Sequence, residues 1–434
     1  MDSPSPIAQL FEQNMLLEIA RAVGTPCYVY SAERLISNYL RLKQTLAPDA
    51  LLRRIFYSVK ANSNLTILRL LANEGAGFEV VSLGELKRVL AIGVAPERIL
   101  FTGMGKREDE IAFAIEVGVG WIVVENAEEL FLISNMAVER GKEVRVALRI
   151  NPCIEPDTHR YLDTGSGDSK FGMSYEEALR LVASGTPLSG VAIRGVHVHV
   201  GSMITEVEPY RLALELALRF IAEARLRGCE IQMVDLGGGF AVAYQAGDAE
   251  APLEGIAAML SSYRETAEVE LFFEPGRAIV ADAGILLTQV LYNKVNAGKH
   301  YVVVDAGMND LIRPALYGAV HGAWVVQADR YLQDGAFVTV AGPICESADI
   351  LIERAFLPPV RRGDLIAISH AGAYGMSMAS QYNSRPRAAE VLVQDSSWRL
   401  IRPREDLESL WAEELKLLPD TMLVEEPYAA EKNY

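Results

Sequence analysis

Lys60 stands in YSVKAN (57–62), at the inner end of a short apolar run. An amine is seldom left in such a place unless it is paired or used. Taken alone it reads as a strand end reaching water. Three further stretches carry comparable chemistry: HVHVGS (197–202), GGG (237–239) and EPGR (274–277). Together they hold an amine, two imidazoles, a carboxylate and a guanidinium, beside glycines that let backbone amides approach an anion.

What must position them is a regular alternation. Short β-branched runs at 54–60, 78–82, 98–102, 121–125, 144–150, 191–200, 231–236 and 270–274 are each followed by a helical pattern. Ser82 with Glu85, and Ser174 with Glu177, have the spacing of capping boxes. Strands this apolar are covered on both faces. The pattern predicts a (β/α)8 barrel, with a doubly wound open sheet as the competing arrangement. In a barrel, Lys60 ends the first strand, His199, Gly201 and Ser202 the sixth, GGG the seventh and EPGR the eighth. All then fall on the C-terminal face, where barrels of this kind carry their chemistry.

Beyond about residue 280 the rhythm becomes strands joined by glycine-rich turns, at GILLTQVLYNKVNA, KHYVVVDAG, GAWVVQA, AFVTVAG, DLIAISHAG and EVLVQ. This predicts a C-terminal β-barrel or β-sandwich domain. The strand-like TPCYVYS (25–31) is expected to join it, so the barrel is assigned to 32–280 and the β domain to 1–31 with 281–434. The acidic tail from 424 onward reads as loose.

The chain has 41 basic and 57 acidic residues, a net charge of −16, and no basic run, which argues against nucleic acid or an anionic membrane as partner. Its four cysteines are far apart and of its six histidines only His197 and His199 are close, so neither a metal site nor a disulfide framework is expected. With no signal peptide and no apolar stretch of spanning length, a cytoplasmic protein is expected.

Loops after the seventh and eighth strands are the recurrent phosphate site of such barrels. Gly237, Gly238, Gly239, Gly276 and Arg277 are there, and a strand-end lysine beside a phosphate site points to pyridoxal 5'-phosphate, with Lys60 as the amine that binds its aldehyde. Glu274 is placed to pair the pyridine nitrogen and His199 to lie against the ring. His197 fits an ordinary hydrogen-bonded core histidine equally well.

YSVKAN, HVHVGS, DLGGGF, EPGR, GPICESAD and AGAYG, in this order, resemble the fold-type III pyridoxal-phosphate decarboxylases, with an alanine-racemase-like barrel and a β domain, from about Gly24 to about Glu405. Segments 151–173 and 305–321 are similar to the branch acting on diaminopimelate. The resemblance implies decarboxylation of meso-2,6-diaminopimelate to L-lysine, the last step of lysine biosynthesis. It implies catalytic roles for Lys60, His199, Glu274 and Cys345, the last as candidate acid. Ser202, Gly239, Gly276, Arg277 and Tyr374 would surround the phosphate, with Arg277 and Tyr374 also near the substrate. Arg313 and Tyr317 would grip a distal carboxylate, and Cys345 with Glu346 would reach in from the partner of a homodimer. A guanidinium suits that carboxylate and opposes the ammonium of a simple diamine. The alternatives are a relative acting on ornithine, arginine, carboxynorspermidine or a carrier-bound aminoacyl group, a racemase, or a non-enzymatic carrier of the cofactor. Met203, Leu83 and GMGK (103–106) depart from the usual motif at the barrel mouth, where substrate preference is set.

Overall fold

The computed structural model describes residues 6–49, 53–153, 169–183, 188–263, 266, 268–327 and 335–419. Most of the 151–173 segment and the whole acidic tail lie outside the described residues. β1 (Cys27–Ser31) is followed by β2 (Arg53–Ser58), β3 (Gly77–Val80), β4 (Ile99–Phe101), β5 (Trp121–Val124), β6 (Val144–Arg149), β7 (Val191–His197), β8 (Met233–Asp235) and β9 (Glu270–Phe273). β2 to β9 form a closed parallel barrel. Closure is made by β2 against β9, with Arg53 opposite Leu271, which excludes the open sheet.

The barrel is filled, as burial on both strand faces requires. Phe56, Trp121, Met233 and Phe272 belong to one interior cluster. The Phe56 and Phe272 rings are 4.7 Å apart, and Trp121 meets Phe272 edge-on at 6.0 Å. Gly195 on β7 makes room for this filling, since a Cβ there would sit 2.8 Å from the Ala147 and Met233 side chains. Outside, Ser82 and Ser174 cap their helices by accepting from the Glu85 and Glu177 amides, each at 3.2 Å.

A second, mixed sheet of nine strands is built from β1, β10 (Gly284–Asn296), β11 (Lys299–Val304), β12 (Ala323–Val325), β13 (Ala336–Ala341), β14 (Ile350–Leu357), β15 (Leu365–Ile368), β16 (Ala389–Gln394) and β17 (Ser397–Arg402). β1 lies between β10, antiparallel, and β16, parallel. β14 and β17 are additions to the strands read from the sequence. Glu353 and Arg354 interrupt the apolar run of β14, and β17 is a largely exposed edge strand, so neither carries a buried-strand signature.

The two sheets meet where the chemistry is. The Tyr374 amide donates to Ala61 O at 2.8 Å and Asn62 Nδ2 to Gly372 O at 3.2 Å, so the turn carrying Lys60 is pinned by the β-sheet side. Nearby, the fully buried Glu390 accepts from Tyr30 at 2.8 Å, from Asn64 at 2.9 Å and from Arg402. Each end of that carboxylate is matched, which is what makes its burial tolerable. Among the described residues no helix is long and apolar enough to cross a membrane.

Candidate active site

A cavity of about 520 Å³ opens at the C-terminal ends of the barrel strands, where the second sheet closes over them. Lys60, His199, Ser202, Gly238, Gly239, Glu274, Gly276, Arg277, Arg313, Tyr317 and Tyr374 all line it. The barrel residues among them all sit past their strands rather than on them. Lys60 is in a single 3₁₀ turn, Val59–Ala61, after β2, and His199 follows β7 by two residues. A turn can aim a side chain across the barrel mouth, where a strand would point it inward or outward.

Lys60 Nζ lies 3.1 Å from Glu79 Oε1, and Thr102 donates to the same oxygen. Burial lowers the Lys60 amine, but Glu79 and then Glu274 outweigh it and hold the ammonium above its ordinary range. Glu274 Oε2 is 3.4 Å from His197 Nε2. Burial would raise Glu274, yet His197 and Lys60 hold it well below the usual carboxylate range. His199 is driven well below its ordinary value by burial and by the Arg149 and Lys60 charges, so it is a neutral ring.

The glycine loops come as close as sequence reasoning requires. A Cβ on Gly238 would lie 2.2 Å from Glu274 O, and one on Gly239, at φ 88°, would lie 2.4 Å from Gly201 O. Among the described residues the amides of Gly239, Gly276 and Arg277 donate to no backbone carbonyl. Gly237 does not line the cavity: its N–H is taken by Asp235 Oδ1 at 2.7 Å, and its missing side chain leaves space for the His199 ring, which a Cβ would approach to 2.2 Å.

Arg277 and Arg313 stand together. Arg277 Nη1 donates to Tyr244 OH at 3.1 Å and Nη2 to Ser202 at 3.2 Å, while the Tyr374 ring lies 4.9 Å from its guanidinium. Arg313 starts a short helix, Arg313–Tyr317, that puts Tyr317 one turn away on the same face. It packs 4.8 Å from the Tyr244 ring and donates to His321 Nε2 at 3.1 Å. Burial first, then Arg313, lowers His321 to about 3, and its Nδ1 meets Ser369 O at 2.9 Å, so the ring is neutral with Nε2 as acceptor.

Several site residues escaped the sequence reading. Arg149, Lys170 and Phe171 line the cavity, Arg149 pairs with buried Glu125 at 2.7 Å, and Tyr244 braces both Arg277 and Arg313. A charge at the end of an apolar strand marks Arg149 as it does Lys60, and Glu79 inside FEVV gives the same signal; Tyr244 gives none. Cys345 and Glu346 are exposed and outside the cavity of the single chain.

Glu85 stands behind Glu79 and accepts from the Val81 amide at 2.9 Å. Burial, then the Glu79 charge, raises its carboxyl from 4.5 to about 7. A raised carboxyl favours the folded chain while protonated, so its contribution is complete below about 4.5 and is lost as pH rises through about 7. Glu85→Gln keeps the acceptor and cannot ionise. Its melting temperature relative to the native chain is therefore expected to be higher at about pH 8 than at about pH 5, and an equal difference at both would refute this.

Residues 33–281 match the family model described as "Pyridoxal-dependent decarboxylase, pyridoxal binding domain". The chain is 43% identical to a diaminopimelate decarboxylase of Pseudomonas aeruginosa over 95% of its own length and 98% of the relative's. It is 39% identical to one of Aquifex aeolicus, covering 92% and 94%. A crystal structure of diaminopimelate decarboxylase from Helicobacter pylori complexed with L-lysine superposes with a TM-score of 0.88 at 38% identity, covering 93% of this chain and all of that one.

Proposed function

The chain belongs to the diaminopimelate decarboxylase family of pyridoxal-dependent enzymes, and from that premise we propose how its own residues release carbon dioxide from meso-2,6-diaminopimelate and leave L-lysine. The cavity fits the cofactor by its unmatched polar atoms: among the described residues Glu274 Oε1 and Arg277 Nε are buried without partners, and the amides of Gly239 and Gly276 donate to no backbone carbonyl, leaving them to meet a phosphate. Bound there, pyridoxal phosphate supplies the electron sink for the carbanion that loss of carbon dioxide creates.

Lys60 is the amine that holds the cofactor. To react it must shed a proton, and Glu79 Oε1 at 3.1 Å is the acceptor in reach. The His199 ring, neutral and flat, packs against the cofactor. Glu274 holds a proton at the ring nitrogen. Ser202, Gly238, Gly239, Gly276, Arg277 and Tyr374 form the phosphate end. Gly237 supports this end indirectly, through the room it leaves for His199.

The observation that carries the substrate assignment is Arg313. It is 4% exposed, its Nε is unmatched, and among the described residues it forms no ion pair. With Tyr317 it binds the distal carboxylate, while a simple diamine would set an ammonium against a buried guanidinium. A second copy of the chain completes the site, bringing Cys345 as the acid that returns a proton to the α-carbon and Glu346 as a substrate contact. Their exposure in the single chain supports this homodimer. All four cysteines are free, which supports a cytoplasmic location.

The test is carbon dioxide release by purified, cofactor-loaded protein offered meso-diaminopimelate, ornithine, lysine and arginine side by side. Release from diaminopimelate alone, with lysine appearing in step, is expected. Arg313→Leu is expected to lower kcat/KM for diaminopimelate by about 10- to 100-fold, the loss of a charge-assisted bond worth about 1.5–3 kcal/mol. Release from ornithine with none from diaminopimelate would overturn the assignment.

A further inference from the structure

At the cavity wall three groups are buried together. The His197 ring and the Asp235 and Glu274 carboxyls offer atoms all within 4.8 Å of one another, and all three residues are buried. Only Glu274 lines the cavity. Their bonding is incomplete: His197 Nε2 meets Glu274 Oε2 at 3.4 Å and Gly237 N–H donates to Asp235 Oδ1 at 2.7 Å. Glu274 Oε1, Asp235 Oδ2 and His197 Nδ1 have no partner among the described residues.

Two ionised carboxylates this close and this buried repel strongly, and such a pair shares a proton. The groups acting on the pair come from several elements: Lys60 after β2, Glu79 on β3, and His197 and His199 on and after β7. From β6, Arg149 acts on His199 but is itself paired with Glu125. Lys60 is likewise engaged by Glu79 and His197 by Glu274, and among the described residues no cation pairs with Asp235.

We propose that Asp235 carries the shared proton and is a positioning residue for Glu274, leaving the negative charge on the one carboxyl that lines the cavity. The titration directions agree, since burial and then the Glu274 charge push Asp235 up while His197 and Lys60 hold Glu274 down against burial. The inference rests on the reading of Glu274 as partner of the ring nitrogen. It assigns Asp235, which touches neither cofactor nor substrate, the task of fixing which carboxyl is charged.

The first measurement is infrared difference spectroscopy of the cofactor-free protein against Asp235→Asn. A carbonyl band of a protonated, buried carboxylic acid is expected at neutral pH in the native chain and is lost in D235N. Glu85 and Asp310, each raised to about 7, give bands of their own in both proteins, so the native-minus-D235N difference decides, and a difference that shows no lost carbonyl band overturns the proposal. Should D235N fail to fold, carbon-13 carboxyl resonances of the native protein serve instead, with one aspartic acid expected to stay protonated above the pH at which Asp310, raised to about 7, ionises; no such resonance overturns the proposal. In the loaded protein the amide of D235N is as neutral as the acid it replaces. The pH profile of the bound cofactor's visible absorbance should therefore move by less than about half a unit in D235N and by more in Asp235→Ala. Shifts above about half a unit in both would mean that Asp235 acts as an anion, and shifts below it in both that it does not position Glu274; either result overturns the proposal. The band is read without cofactor or substrate, so its absence would sink this inference while leaving carbon dioxide release intact. Failure of the decarboxylation would leave the band where it is.

Discussion

Lys60→Arg is expected to abolish carbon dioxide release while leaving the protein folded. The guanidinium keeps a cation beside Glu79, which is 1% exposed and whose Oε2 has no partner among the described residues. It stays protonated at any accessible pH and so cannot serve as the nucleophilic amine. The turn does not depend on the side chain: Ser58 N reaches Pro275 O at 3.1 Å, Tyr374 N reaches Ala61 O at 2.8 Å and Tyr57 OH reaches Asn62 O at 2.9 Å. A loss of at least about 10³-fold, or about 4 kcal/mol of barrier, is expected for removal of the amine proposed as nucleophile. Lys60→Ala should lose activity equally and also melt earlier, since it leaves the Glu79 charge buried without its partner. Release by K60R within about tenfold of the native rate would remove Lys60 from the mechanism.

Glu274→Gln is the second large effect. The substitution keeps the volume of the side chain and removes its charge. His197 then faces an amide at 3.4 Å instead of a carboxylate, and the cavity loses the negative group proposed to hold a proton at the ring nitrogen. Charge stabilisation of this kind, made by a fixed group at the place where charge develops, is worth about 10²–10³ in kcat. The fall should appear equally in kcat and kcat/KM, because the interaction strengthens only as the reaction proceeds. Steady-state kinetics on diaminopimelate decide it, and a kcat within about threefold of native would show that the ring nitrogen does without this partner.

Much of this was legible in the chain alone. The eight barrel strands are apolar on both faces, so each leaves a local signature that needs no knowledge of its neighbours. Lys60, Glu274, Arg277 and the glycine run stand out because they break that signature at strand ends. β14 and β17 stayed hidden because charged or exposed positions dilute their pattern. Gly237 reads in sequence as part of a phosphate turn, yet only the packing reveals that its amide is taken by Asp235.

By itself, then, the sequence determined the alternation of strands and helices, the end of the barrel where chemistry gathers, and the residue types available for it. These are properties of short segments, set by burial periodicity and by the cost of placing a charge in an apolar run. Tertiary structure alone decided that the barrel closes through Arg53 and Leu271, that Tyr244 and His321 brace Arg313, and that His197 and Asp235 stand behind Glu274. Those pairings join positions remote in the chain, and whether a buried carboxyl is charged depends on the groups that folding brings around it.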